Sequence, residues 1–169
     1  MESCEYDRVF PSIGDKMERL KIKGVYTFTW VDKITGKVIS KQKENTVCQG
    51  FFDAVFNLLD STAVTLGLSY IAIGESASSP ALRSDTILEN EFFRKEILSN
   101  SFDDDIFTSK VYLEEAEGNP TGDNLITEIG IFAGGSIAAN SGTLVSRALV
   151  SVAKNSSSRI IVKWTLDTK

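Results

Sequence analysis

The chain reads as a mainly β protein: an antiparallel, two-sheet, sandwich-like domain with one amphipathic helix. Two observations predict this. Short runs of period-two alternation recur along the sequence, separated by clusters of Gly, Asn, Asp and Ser, and a single stretch switches to helical spacing. At 169 residues, with 42% apolar and 24% charged side chains, the chain is long enough for one domain with a real core. The expected organisation is an N-terminal arm over residues 1–20 and a single β-rich domain over 21–169.

The first strand candidate, Lys23 to Val31, places Tyr26, Phe28 and Trp30 on one face and Val25, Thr27 and Thr29 on the other. Lys33-Ile34-Thr35-Gly36 then supplies a turn before Val38-Ile39-Ser40, which makes a hairpin. Thr46-Val47-Cys48-Gln49 has the form of a capping box, and Phe51, Phe52, Val55, Leu58 and Leu59 follow at helical spacing, so a helix is expected over about 46–60. Leu68 to Ile73, Glu91 to Leu98, Ile106 to Leu113, Leu125 to Phe132, Leu144 to Val152 and Arg159 to Leu166 complete the strand candidates. Glu75 to Arg83, Glu114 to Asp123 and Ala133 to Gly142 read as loops.

Composition excludes more chemistry than it suggests. There is no histidine, which removes the usual general base and the commonest metal ligand, and two cysteines are too few for a zinc site. No cofactor, metal or catalytic residue is expected. Gly74-Glu75-Ser76-Ala77-Ser78 lacks the closing glycine of a nucleophile elbow and has no base to activate its serine. Asp103-Asp104-Asp105 lacks the spacing of a calcium loop and reads as an acidic turn. Glu114 and Glu128 would suit glycoside hydrolysis only across a cleft. The Tyr26, Phe28 and Trp30 stripe suits either core packing or sugar stacking.

A net charge of −5 leaves no footprint for nucleic acid, and Lys33, Lys37, Lys41 and Lys43 read as a solvated strand face. No apolar run reaches the length of a membrane-spanning helix, Met1 to Lys16 lacks the basic and apolar regions of a signal peptide, and a soluble protein is expected. Asn155-Ser156-Ser157 then reads as a polar turn, not a glycosylation acceptor. Cys48, in an apolar stretch, is expected to pack as a small hydrophobe, with pairing to Cys4 the alternative.

Five segments occur in a suggestive order: Leu68 to Gly74, Ser84 to Glu91 with Arg94, Ile126 to Phe132, Leu144 to Arg147, and Val162 to Leu166. Together they resemble the small bacteriophage tail and tail-collar fibre family, over roughly residues 46–167. The resemblance implies a virion structural protein of the tail, baseplate or neck, assembled in the host bacterial cytoplasm, that attaches fibres or neighbouring subunits to one another. It implies self-association as a trimer or higher ring and contact with other virion proteins. A glycan-binding, receptor-recognition module is the alternative.

Six residues are the assembly and structural candidates: Glu128, Gly130, Arg94, Arg147, Tyr6 and Phe10. Glu128 lies within an apolar strand and needs a partner if buried, for which Arg94 or Arg147 is the candidate; otherwise it points to solvent. Gly130 suggests a close approach or a bulge. Tyr6 and Phe10, with Val9, Pro11 and Ile13, mark the leader as an arm that orders against a neighbouring subunit. Gly74-Glu75-Ser76 departs from the family in lacking a second glycine. The sequence ends at Lys169 without a shaft-forming repeat, so a free-standing attachment piece is the expectation.

Overall fold

A computed structural model of the chain describes residues 22–31, 36–59 and 67–167, without the side chains of 57–59. The N-terminal arm with Cys4, Tyr6 and Phe10, and the turn residues Lys33 to Thr35, lie outside the described residues. Nine strands and one helix follow in the order β1 (Lys23–Val31), β2 (Val38–Val47), α1 (Gln49–Leu59), β3 (Leu68–Gly74), β4 (Glu91–Glu96), β5 (Ser99–Asp103), β6 (Ile106–Leu113), β7 (Leu125–Ala133), β8 (Thr143–Ala153) and β9 (Arg159–Asp167). The fold is mainly β, as the alternation predicts.

All pairings are antiparallel, and the strands form one sheet in the order β4-β3-β7-β8-β2-β1-β9-β6-β5. This sheet curls until its two halves face each other across a shared core. Two segments carry the chain from one half of the curled sheet to the other. One is β2, which pairs with β1 over most of its length but with β8 only at Thr46 and Val47. The other is the β4–β5 segment: the Ile97 amide bonds back to Ser69 of β3, and the next amide, Leu98, bonds to Lys110 of β6.

Alternation determines what fills the interior. Tyr26 and Phe28 of β1, Val111 and Leu113 of β6, and Ile160, Val162, Trp164 and Leu166 of β9 meet Ile71 and Ile73 of β3, Ile126, Ile129 and Ile131 of β7, and Ala148 and Val152 of β8. The aromatic stripe is therefore core, with Trp30 half-buried at its end and donating through Nε1 to the Ala153 carbonyl at 3.0 Å.

Three local expectations need correction. The helix starts at Gln49, not 46, because Thr46 and Val47 are still paired with Arg147 and Ser146. The Thr46 hydroxyl donates to the Ala81 carbonyl at 3.2 Å and caps nothing. The ladder to β8 outcompetes the local capping pattern. The strand expected over Glu91 to Leu98 bends at its end and continues as β5, whose hairpin to β6 turns on Asp104 and Asp105. And β2 extends well past Ser40 through its lysines to Val47, because backbone pairing with β1 holds residues that have no apolar pattern of their own.

Candidate functional site

The strand β7 is buried on both faces. A register shift at Thr127 lets Ile126, Ile129 and Ile131 point into the core while Glu128, Gly130 and Phe132 point outward. That outer face would meet water were it not covered by the segment between β3 and β4, residues 75–90, which crosses β7 and β8 as a strap. Leu88, fully buried, is the strap's apolar anchor and packs with Ala72, Phe132, Leu144 and Cys48. Gly130 makes room for it: a Cβ there would stand 2.8 Å from the Leu88 Cδ2.

Glu128 holds the strap's backbone. Its side chain is fully buried, and its two oxygens accept from the amides of Glu89 at 3.1 Å and Asn90 at 2.7 Å. Arg147, directly across from Gly130 on β8, completes the pair with its Nε 3.0 Å from the Glu128 Oε2. Of the two arginines considered for Glu128, Arg147 is thus the partner. The same guanidinium reaches Asp85 at 2.8 Å and Glu89 at 3.4 Å, both on the strap. Three carboxylates therefore converge on one side chain. Burial opposes the charge on Arg147, but Asp85 and Glu128 more than offset it and raise its pKa.

Glu89 is further held by the amides of Ser79 and Ser78, which lower its pKa. Gly74 leaves space for this clamp, since a Cβ there would lie 2.4 Å from the Glu128 Oε1 and 2.7 Å from the Asn90 carbonyl. That close approach gives Gly74 a reason independent of a second glycine after it.

Arg94 serves a second lock. It forms a two-pronged ion pair with Glu91 at 2.6 and 2.8 Å, both side chains buried, and donates to the carbonyls of Ser136 and Ser141 at 2.9 and 2.8 Å. The guanidinium lies 4.6 Å from the centre of the Phe132 ring. Asn140 closes the circuit: its Oδ1 accepts from the Leu88 amide, its Nδ2 donates to the Leu88 carbonyl, and its own amide donates to Glu91. The loop from Gly134 to Gly142 is thereby shaped by the strap it touches. It presents Ile137, 80% exposed, beside a strap that presents Leu82 and Ile87.

Four of the six candidate residues, Glu128, Gly130, Arg94 and Arg147, come together on this outer face. Tyr6 and Phe10 lie outside the described residues. Sequence reasoning assigned no role to Asp85, Glu89, Glu91 or Asn140; the visible signal was three acidic residues within seven positions, with Arg94 three residues after Glu91. It also missed Lys154. This lysine is almost fully buried, and its ammonium donates to the carbonyls of Glu114, Glu115, Asn155 and Ser158 and to Asn119 Oδ1 at 2.9 to 3.4 Å. Burial lowers its pKa against the pull of Glu117, Glu115 and Glu114. It ties the Glu114–Asn119 loop to the polar turn at Asn155–Ser158.

The remaining chemical candidates are dispersed. Glu114 is exposed and paired with Arg159, away from the buried Glu128, so the two face no common cleft. Glu75 accepts from the amide and hydroxyl of Thr121, which lower its pKa. Cys48 is free and buried, its thiol pushed up to about 12 by burial. Among the described residues no three His, Cys, Asp or Glu side chains are grouped to hold a metal ion. A groove of 630 Å³ runs between α1 and the strap, lined by Gln49, Asp53, Arg83, Asp85 and Thr143. The assembled cluster locks a surface segment onto the sheet.

Compared with models of known protein families, with characterised proteins and with solved structures, the chain matches none.

Proposed function

We propose that this chain is a structural protein of a bacteriophage particle, acting in the tail, baseplate or neck to attach fibres or neighbouring subunits by non-covalent assembly. The observation that carries the reading is the strap lock. The segments whose order resembles the tail and tail-collar fibre family supply its parts: Ala72 and Gly74 from the first, Asp85 to Glu91 and Arg94 from the second, Glu128, Gly130 and Phe132 from the third, Leu144 and Arg147 from the fourth. Residues far apart in sequence are spent on fixing two loops that expose Leu82, Ile87 and Ile137. Rigid loops carrying apolar side chains suit contact with other subunits, because little ordering entropy remains to be lost on association.

Purified particles from a host strain producing the protein test the reading. Mass spectrometry and labelled-antibody electron microscopy are expected to find the chain at a fixed copy number at one place on the tail or neck. Its absence from every purified particle overturns the assignment.

A further inference from the structure

Two cations stand opposite each other in the middle of a sheet face. Lys110 of β6 is the cross-strand partner of Lys163 of β9, and both lie on the outer face, because Val111, Leu113, Val162 and Trp164 take the core side. Like charges directly opposite each other in a ladder are destabilising. The positions around the pair are Thr27 on β1, Ile161 and Thr165 on β9, Thr108 and Tyr112 on β6, and Ser99 on β5, and none of them is acidic. Among the described residues neither lysine has an ion pair; Lys110 instead leans along its strand and donates to the Tyr112 hydroxyl at 3.2 Å. In a chain of net charge −5, these two adjacent cations lack a counterion from the fold itself.

One row further on, the same face opens into a cavity of 300 Å³ at the ends of β1, β6 and β9. Val31, Tyr112 and Ile161 give it an apolar lining, and Glu114 and Arg159 also line it. Tyr112 pairs with Ile161, and each stands two residues from a lysine, Tyr112 from Lys110 and Ile161 from Lys163. That offset is about 7 Å along each strand. The Arg159 Nε lies 2.8 Å from the Glu114 Oε2, yet both side chains are more than half exposed, so further donors and acceptors of this pair stay open to a ligand. One continuous face thus carries an aromatic ring, an apolar floor, an accessible acid–base pair and two cations.

We infer that this face binds a phosphate-bearing sugar, with the phosphate between Lys110 and Lys163 and the sugar ring over Tyr112 and Ile161. A phosphate supplies the missing counter-charge and accepts charge-assisted hydrogen bonds from both ammonium groups. The tyrosine ring offers an apolar surface to the C–H side of a sugar, and its hydroxyl a polar handle. Glu114 and Arg159 accept from and donate to sugar hydroxyls. An acyl chain in the cavity would instead strip water from that pair and return no hydrogen bond. A nucleic acid strand is met by cations along several successive phosphates, and this face has a single pair. The inference goes beyond the assembly reading, since the strap lies over β7 and β8 on the other half of the sheet and uses none of these residues.

Nuclear magnetic resonance titration of the full-length purified protein tests it, with glucose 6-phosphate, mannose 6-phosphate and N-acetylglucosamine 6-phosphate as probes. The parent sugars, inorganic phosphate and a single-stranded DNA oligonucleotide form the comparison arms. At least one sugar phosphate is expected to shift the Lys110, Lys163 and Tyr112 signals, and to bind about tenfold or more tightly than its parent sugar or inorganic phosphate. Lys110→Gln with Lys163→Gln is expected to abolish binding while the melting temperature holds or rises, because a like-charge contact is removed. Tyr112→Ala is expected to bring the sugar phosphate down to the level of inorganic phosphate. The inference is overturned if no sugar phosphate binds, if inorganic phosphate or the oligonucleotide binds as tightly, or if binding survives the double lysine substitution. The titration needs no phage particle, so its failure is distinct from absence of the chain from particles.

Discussion

At Glu128 a carboxylate sits at zero exposure on the outer face of β7, and it is tolerable there because each of its oxygens has a donor. Removing one member of a buried ion pair typically costs about 3–5 kcal/mol, chiefly because the other charge is left without its partner. Glu128→Ala strands Arg147 less completely than that, since Asp85 and Glu89 remain, but it also orphans two strap amides. A loss of about 3 kcal/mol is expected, read from urea unfolding. In a double-mutant cycle with Arg147→Ala the double variant should lose less than the sum of the singles. An additive cycle would show that the two side chains act independently.

Among the elements, the strap is the segment whose position depends most on side chains, because it has no ladder of its own. Leu88→Ala removes its apolar anchor over Gly130 and should cost about 2–4 kcal/mol. Limited proteolysis should then cut within residues 75–90 before the sheet unfolds; if cleavage begins elsewhere, Leu88 is not what holds the strap. Lys154 does comparable work at the opposite loops, where one ammonium serves five oxygens. Lys154→Met, close in length but without donors, should destabilise by roughly 2 kcal/mol or more. Amide hydrogen exchange should quicken at 114–119 and 155–158, and exchange unchanged there would refute the linkage.

For the molecule as a whole, acid is the lever that reaches several loops at once. Glu75, Glu89 and Glu117 all have pKa values lowered below the ordinary 4.5, by Thr121, by the Ser79 and Ser78 amides, and by Lys95 respectively. A carboxyl with a lowered folded-state pKa binds fewer protons folded than unfolded, so its stabilising effect is complete above the unfolded value and is lost as pH falls through the folded one. Thermal stability is therefore expected to be level above about pH 5 and to drop as pH falls below 4.5. Glu89→Gln should make the drop shallower; an unchanged acid profile would remove Glu89 from the account.

Much of the fold was legible in sequence because a strand with one buried face must alternate. The pattern at Tyr26–Phe28–Trp30 and at Ile160–Val162–Trp164–Leu166 could be read without knowing any partner. The lysine-rich half of β2 and the exposed β5 were not legible, since backbone pairing holds them and leaves no apolar trace. The helix start was misread because Thr46 satisfies a local pattern that a long-range ladder overrides. At the site, Glu128 in an apolar run was compatible with either a buried or a solvent-facing carboxylate, with Arg94 or Arg147 as partner if buried; the structure buries it against Arg147. The strap was another matter: nothing local says that Asp85 and Glu89 converge on Arg147 from residues about sixty positions away.

The sequence by itself determined the β class, the faces of most strands and the condition that Glu128 needs a partner if buried, because side-chain period and the cost of burying charge are local properties. Only the tertiary structure decided which arginine answers Glu128, that residues 75–90 cross the outer face of β7, and that β2 parts from β8. Those outcomes depend on which surfaces meet when the sheet curls, and curling is a property of the whole chain.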